Sequence, residues 1–392
     1  MNDNDSSACA KKKSIFVYGY FGAGNIGDEL ILTAFLTMLA SRGVKRELIV
    51  AVERPEYYDR IAYEKDYKNL DIVFVKRYKN PLNFNNISAF RRSAAFVIPG
   101  GGIFQDYSAL SFLCYYSFLA VSKLFGVNNY LLFQGLTGIK SKLFVKMMIF
   151  AANNLSNYIS VRDEASAEFL GKRGAAAADP CGDYSDPVFA LNSSIGEKIR
   201  SINEGAVKEG VIGVSLRPWK GAGASEIAKV ISAVVEKTGL NMKLYSMQEK
   251  IDCDFNSIVI GSLDEKTRGK IIKIEYINDA GNLVRSLSLN SLNIGMRFHF
   301  SVLSMIAGVP CVGLSYDEKV GELYKRANLQ QLCVSGPEFA ELASGRTEPL
   351  IKRADYALKN AGRLKDAIGR FASERESIAK LMFEDFYVKC LQ

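Results

Sequence analysis

The segment GMRFHF (295–300) ends an apolar run with Arg297 and His299 two positions apart, and His299 is the only histidine in 392 residues. A single imidazole is the side chain best suited to proton transfer near neutral pH, with no second one to replace it. A lone histidine is more often structural, but an adjacent arginine at the end of an expected strand points toward an anionic ligand. Three other segments put cations at the same kind of place. SLRPW (215–219) carries Arg217 and the only tryptophan, GVPCVGLSYDEKV (308–320) carries Tyr316, Asp317 and Lys319, and VRD (161–163) carries Arg162 and Asp163. Gathering several cations away from water is costly without an anion, so their convergence predicts a phosphate or carboxylate ligand.

Two glycine-rich segments also follow apolar runs. GYFGAGNIGDELILTAFL (19–36) places Asn25 before Asp28 and Glu29, in the expected first turn of a helix. Its spacing matches neither the dinucleotide fingerprint nor the Walker phosphate loop. Asp28 reads either as a complement to the helix dipole or, with Asn25, as a partner for a sugar hydroxyl. PGGGIFQD (99–106) contains Gly101 and Gly102, then Gln105 and Asp106. A glycine run at a strand end implies close approach of a ligand or of another backbone. Asp106 is the only carboxylate between Ile72 and Arg162, so it is expected to be paired or functional. One histidine and dispersed cysteines form no common zinc or iron site, and no metal or organic cofactor is expected.

The elements that must position these residues alternate along the chain. Short apolar runs at 14–20, 47–53, 71–77, 94–100, 128–135 and 157–163 read as buried strands separated by helix-length segments. After a Pro/Gly/Ser-rich stretch at 181–198 the rhythm resumes at 210–218, 241–248, 256–262, 292–298 and 309–317. The tail from Pro349 has helical spacing and no strand signal. This predicts an α/β protein of two doubly wound Rossmann-like domains facing each other across a cleft, GT-B-like, with a helical C-terminal tail. The expected boundaries are a polar tail at 1–13, an N-terminal domain at 14–190, a C-terminal domain at 191–348 and helices at 349–392.

Composition narrows the class further. The chain carries 50 basic and 42 acidic residues, a net +8, and 48% hydrophobic residues. The segment 72–162 alone holds ten basic residues against Asp106, and it includes the aromatic run FLCYYSF (112–118). It reads as a buried half-domain with a basic solvent face, or as a cationic aromatic surface for an anionic membrane or lipid phosphate. No nucleic-acid motif is present. Seven scattered cysteines suit a reducing compartment rather than a disulfide framework. The N-terminus lacks a signal-peptide pattern, and the uncharged stretch 107–122 is too short to span a bilayer. A cytoplasmic protein, peripheral at the inner face of the plasma membrane, is the expectation.

GYFGAGNIGDE, PGGGIFQD, VRDEAS, SLRPW, GMRFHF with the following GVP, and SYDEKV occur in an order that resembles the polysaccharide pyruvyl transferases, and within them the CsaB type. The resemblance covers about residues 14–325. It implies transfer of a pyruvyl group from phosphoenolpyruvate to two hydroxyls of a sugar, forming a ketal and releasing phosphate. It also implies that Arg162, His299 and Lys319 help hold the donor. The acceptor would be a cell-surface polysaccharide or its lipid-phosphate-linked precursor. Phosphoenolpyruvate carries about three negative charges, which suits Arg162, Arg297 and Lys319, with Arg217 as a further partner. His299 then reads as general acid or phosphate partner, and Asp106 or Asp28 as acceptor of the hydroxyl protons. The chain departs from the family pattern at Phe298, commonly leucine, and at Met247, where proline commonly precedes the glutamine. Two other classes use such a layout: a glycosyltransferase fed by a nucleotide sugar, and a non-enzymatic anion- or glycan-binding scaffold.

Overall fold

The computed structural model describes residues 14–58, 67–106, 108–202, 210–219 and 223–392. The expected polar tail at 1–13 lies outside the described residues. The chain divides into two compact units. The first runs through Ala23 and continues with Ile31–Pro187 and Ile378–Gln392; the second comprises Gly24–Leu30 and Val188–Ser377.

The first unit is built on six parallel strands, β1 (Ser14–Tyr18), β2 (Leu48–Val52), β3 (Ile72–Lys76), β4 (Ser93–Ile98), β5 (Asn128–Gln134) and β6 (Tyr158–Val161), in the order β3-β2-β1-β4-β5-β6. All residues of β1 and β2 are buried, as expected where helices cover both faces of a parallel sheet. The second unit repeats the winding with β7 (Val211–Ser215), β8 (Asn241–Ser246), β9 (Ile271–Tyr276), β10 (Leu292–Gly295), β11 (Cys311–Ser315) and β12 (Cys333–Ser335), ordered β12-β11-β10-β7-β8-β9. Strand order reverses between β1 and β4 in one sheet and between β7 and β10 in the other. At such a switch point the flanking loops part and leave a crevice at the carboxyl ends of the strands.

The helices that matter for the site are α1 (Ile26–Ser41), α2 (Phe84–Arg92), α3 (Ala109–Leu124), α4 (Lys142–Phe150), α5 (Glu249–Gly261), α6 (Phe298–Ile306), α7 (Glu318–Arg326) and the long α8 (Ala361–Cys390). Within the aromatic run FLCYYSF, Phe112, Tyr115 and Phe118 are core, whereas Leu113 is exposed. Phe112, Tyr115 and Phe118 recur every three residues on α3, so one helical face carries them inward. Phe118 stacks on Tyr18 with centroids 4.1 Å apart, and Phe112 on Phe144 at 4.3 Å. Burial of each ring contributes about 1.5–3 kcal/mol. Truncating Phe118 to alanine should cost about 3–5 kcal/mol.

One expected strand is a helix. Residues 256–262 belong mostly to α5, while the third strand of that sheet is β9, fifteen residues later. The β-branched residues suggested a buried strand, but Glu249 and Asp252 mark a helix start, and burial follows Asp252, Asn256 and Val259 at helical spacing. Ile258 is left exposed while Asn256 is buried and donates to Ser246 Oγ at 3.1 Å. The sequence pattern also passes over the short β12. At the C-terminus, Phe383 and Phe386 of α8 pack on Phe35, Tyr130 and Tyr158 of the first unit. Tyr158 donates to Asp385 at 3.0 Å, and burial with this contact pushes its phenol up. Among the described residues no helix is long and apolar enough to cross a membrane.

Candidate active site

The switch point of the second sheet is where the cations gather. Register pairs Gly295 of β10 with Ser215 of β7, so Arg297 and Arg217, each two residues further on, leave adjacent strands side by side. Arg217 donates to the Tyr316 hydroxyl, and its guanidinium carbon lies 4.8 Å from that ring's centroid. Burial pushes the Tyr316 phenol up and Asp317 adds to this, while Arg217 and Arg297 pull it the other way. All four side chains therefore act on one small region. The Nε atoms of Arg217 and Arg297, Ser215 Oγ and Asp317 Oδ1 are buried without a hydrogen-bond partner among the described residues. Buried polar atoms are rarely left so, and here they fall at the carboxyl ends of three neighbouring strands, β7, β10 and β11.

Arg297 is held from behind. Its Nη2 pairs with Asp252 and lies 3.5 Å from Gln248 Oε1. Asp252 is fully buried and accepts the backbone N–H groups of Met247 and Gln248, both at 3.0 Å. Three hydrogen bonds satisfy that carboxylate, so the guanidinium is fixed in orientation as well as neutralised. The sequence reading passed over Asp252. The available signal was an acidic residue three positions into a helix that follows a strand end.

His299 sits in the first turn of α6 with its ring 5.2 Å from that of Phe298. Its other neighbour comes from far away in sequence. Gly24–Leu30 counts with the second unit: Ile26 N–H bonds Met247 O at 2.9 Å, Glu249 N–H bonds Gly24 O at 2.8 Å, and Asn25 bridges to Gln248. This seats the start of α1 against the imidazole. A Cβ on Gly27 would lie only 2.4 Å from His299 Nδ1, so glycine is required there for close approach. Asn25 caps α1, with its Oδ1 3.3 Å from Gly27 N, and its Nδ2 donates to Asp28 Oδ2 at 2.6 Å. Asn25, Asp28, Arg217, Arg297, His299, Tyr316 and Lys319 thus share one domain. Lys319 stands half-buried in the first turn of α7.

The remaining candidates lie in the first unit. Gly101 O accepts Gly135 N–H at 3.0 Å, so the glycine run lets another backbone approach, with φ of 147° at Gly100 and 101° at Gly101. Gly102 and Gln105 continue that turn, and the Gln105 side chain covers Gly138. Asp106 Oδ2 accepts the N–H groups of Lys140 and Ser141 at 2.7 and 2.6 Å, which ties the loop to the start of α4. Arg162 is 6% exposed, and its Nη1 pairs with Asp186 at 2.9 Å while Nε lies 3.6 Å from Asp163. Trp219 packs edge-on against Phe339.

The fold defines a two-domain α/β protein of the GT-B-like class, with Arg217 and Arg297 side by side at the switch point of its second sheet. The chain belongs to the polysaccharide pyruvyl transferase family, whose model matches residues 25–318. No curated protein matches it. Among solved structures it is similar to the S. aureus MnaA–UDP co-structure, with 11% identity, coverage of 97% of this chain and 98% of that one, and a TM-score of 0.62. It is also similar to Anabaena Alr3699/HepE in complex with UDP-glucose (13% identity, 96% and 100% covered, TM-score 0.58). A putative UDP-N-acetylglucosamine 2-epimerase from Listeria monocytogenes is a third relative in fold (13% identity, 92% and 90% covered, TM-score 0.57). At such identities the likeness shows the fold.

Proposed function

We propose that this transferase is of the CsaB type. It moves a pyruvyl group from phosphoenolpyruvate to two hydroxyls of one sugar, in a cell-surface polysaccharide or its lipid-phosphate-linked precursor. The observation that carries the reading is the pair of adjacent guanidinium groups at the β7/β10 switch point, with Nε atoms buried and unbonded beside Tyr316. Phosphate and carboxylate oxygens accept from such forks, and the donor offers both within one small molecule.

In the proposed reaction His299 protonates the methylene carbon of the donor, which leaves the adjacent carbon open to attack. One sugar hydroxyl adds there and gives its proton to Asp28, which Asn25 holds in place at 2.6 Å. The second hydroxyl then displaces phosphate, and its proton leaves with that group or returns to His299. The products are a pyruvate ketal and inorganic phosphate. Arg217, Arg297 and Lys319 offset the charge that builds on the departing phosphate. Arg162, which the resemblance assigns to the donor, is paired with Asp186 in its own unit. Asp106 is the second candidate for proton acceptor. The reaction as written needs no metal, so a chelator should leave it unchanged.

Incubation with phosphoenolpyruvate and a panel of lipid-linked and aryl glycosides tests the proposal. Phosphate release matched by a pyruvyl mass increment on the glycoside is the expected result. Turnover of a nucleotide sugar with phosphoenolpyruvate left intact would replace it with glycosyl transfer.

A further inference from the structure

On one face of the first sheet, α2, α3 and α4 share a single apolar layer: Ala89 and Phe90, Phe112, Tyr115 and Phe118, and Phe144 and Met148 all pack with Phe16, Tyr18, Phe96 and Ile98. Crossover helices in a parallel sheet run opposite to the strands, so the three helix N-termini emerge together at its carboxyl edge. Local contacts join them there. Cys114 Sγ donates to Lys79 O at 3.2 Å, Phe112 stacks on Phe144, and Asp106 bonds the chain at Lys140 and Ser141.

Apolar side chains on this edge stand in water. Leu82 is 62% exposed, Phe84 80%, Leu110 82% and Leu143 62%. Around them Lys79, Lys140, Lys142 and Lys146 are exposed. None of the three helices has an acidic residue in its first turn, and α4 begins with a lysine. Helix N-termini ordinarily favour carboxylates and disfavour ammonium groups. The arrangement therefore runs against local helix stability, and Asp106, the one carboxylate of the segment, is turned to backbone amides.

We propose that this edge docks on an anionic phospholipid surface. The exposed Leu and Phe side chains enter the interface, and the lysines lie at the depth of the headgroup phosphates with their alkyl stems along the apolar zone. A second copy of the chain would bring like charges together, and a protein partner would have to supply the acidic surface that a bilayer already presents. The inference stands on surface residues and is independent of the donor chemistry.

Co-sedimentation of the full chain with two vesicle types tests it: phosphatidylcholine alone, and phosphatidylcholine with about one third phosphatidylglycerol. Binding to the anionic vesicles at low salt, weakened as salt rises, is expected. The double substitution Phe84→Glu/Leu110→Glu should lower it at least tenfold, and each of Lys140→Ala and Lys142→Ala about fivefold. Leu124→Glu, at the far end of α3 where Leu124 is 85% exposed, should bind like the parent and control for general surface charge. All these positions are exposed, so melting temperatures should stay close to the parent's. Failure to bind anionic vesicles, or binding that survives the double substitution, overturns the proposal. A dimer in light scattering that the same substitutions dissolve would assign the edge to self-association instead.

Discussion

Replacing Gly27 by alanine puts the contact between α1 and His299 to the test. Gly27 is the second residue of α1 and has no positive φ, so the backbone accepts alanine without strain. Helix propensity alone would favour the substitution by about 0.5–1 kcal/mol. The added methyl, however, would meet His299 Nδ1 at 2.4 Å, Cε1 at 3.2 Å and Cγ at 3.3 Å, where ordinary contact begins at 3.4 Å. The ring must therefore retreat by about 1 Å, a displacement that can cost a reaction about 10²-fold when it falls on a group acting on substrate. That factor corresponds to about 2.7 kcal/mol of transition-state stabilisation. The expected result is a melting temperature within a few degrees of the parent and a fall of about 10² in phosphate release from phosphoenolpyruvate. His299→Ala should fall 10²–10⁴-fold, the usual span for a general acid or base. Adding Gly27→Ala to His299→Ala should lose little more, because the ring it displaces is gone. Gly27→Ala with parental kcat and KM would refute the placement of His299 at the chemistry. Equal, additive losses in the double variant would assign the clash to packing alone.

Asp252→Asn leaves Arg297 without its buried counter-charge, so stability should drop by about 3–5 kcal/mol in urea unfolding and the KM for phosphoenolpyruvate should rise; parental stability would mean the pair is not what holds Arg297. Asp106→Ala removes two backbone hydrogen bonds at the start of α4 and should cost about 1–2 kcal/mol. Its turnover should fall less than tenfold, and a larger fall would move the proton acceptor from Asp28 to Asp106. Burial pushes the Cys333 thiol up to about 11, with Arg353 pulling it the other way. The thiolate is the reactive form, so at pH 8 only about one molecule in 10³ carries it at this position. Native alkylation followed by peptide mass mapping should modify the exposed Cys181 and spare Cys333, with Cys333 labelling rising about tenfold per pH unit below 11. Labelling of Cys333 as fast as Cys181 at pH 8 would contradict its burial.

Most of the layer structure was readable from periodicity. Short apolar runs such as Leu48–Val52 and Cys311–Ser315 read as strands buried on both faces, and the structure buries every residue of both. Their alternation with helix-length segments made two doubly wound sheets the economical solution, and strand ends then marked Arg217, Arg297 and Tyr316 as neighbours in kind. Residues 256–262 show where this logic stops. A short β-branched run fits a strand or a helix equally, and only the need for a crossover between β8 and β9 decides.

Composition and order of residues alone determined that strand-end cations, a single histidine and two glycine turns exist and that they follow strand ends. Tertiary structure decided which of them meet. Asn25 and Asp28 belong with His299 because backbone bonds from Gly24 and Ile26 to the end of β8 hold that loop in the second unit, a pairing some 220 residues apart that no local pattern encodes. Asp252 became Arg297's partner because a helix start folds its carboxylate under the guanidinium, and Asp106 turned out to hold a loop. Charge and hydropathy also marked 72–162 as unusual, but Phe112, Tyr115 and Phe118 went to the core and Leu82, Phe84, Leu110 and Leu143 to the surface. The physical reason is the same in each case. Sequence spacing fixes which side chains share a helix or strand face, whereas contacts between distant segments depend on how whole elements stack, and that is settled only when the core closes.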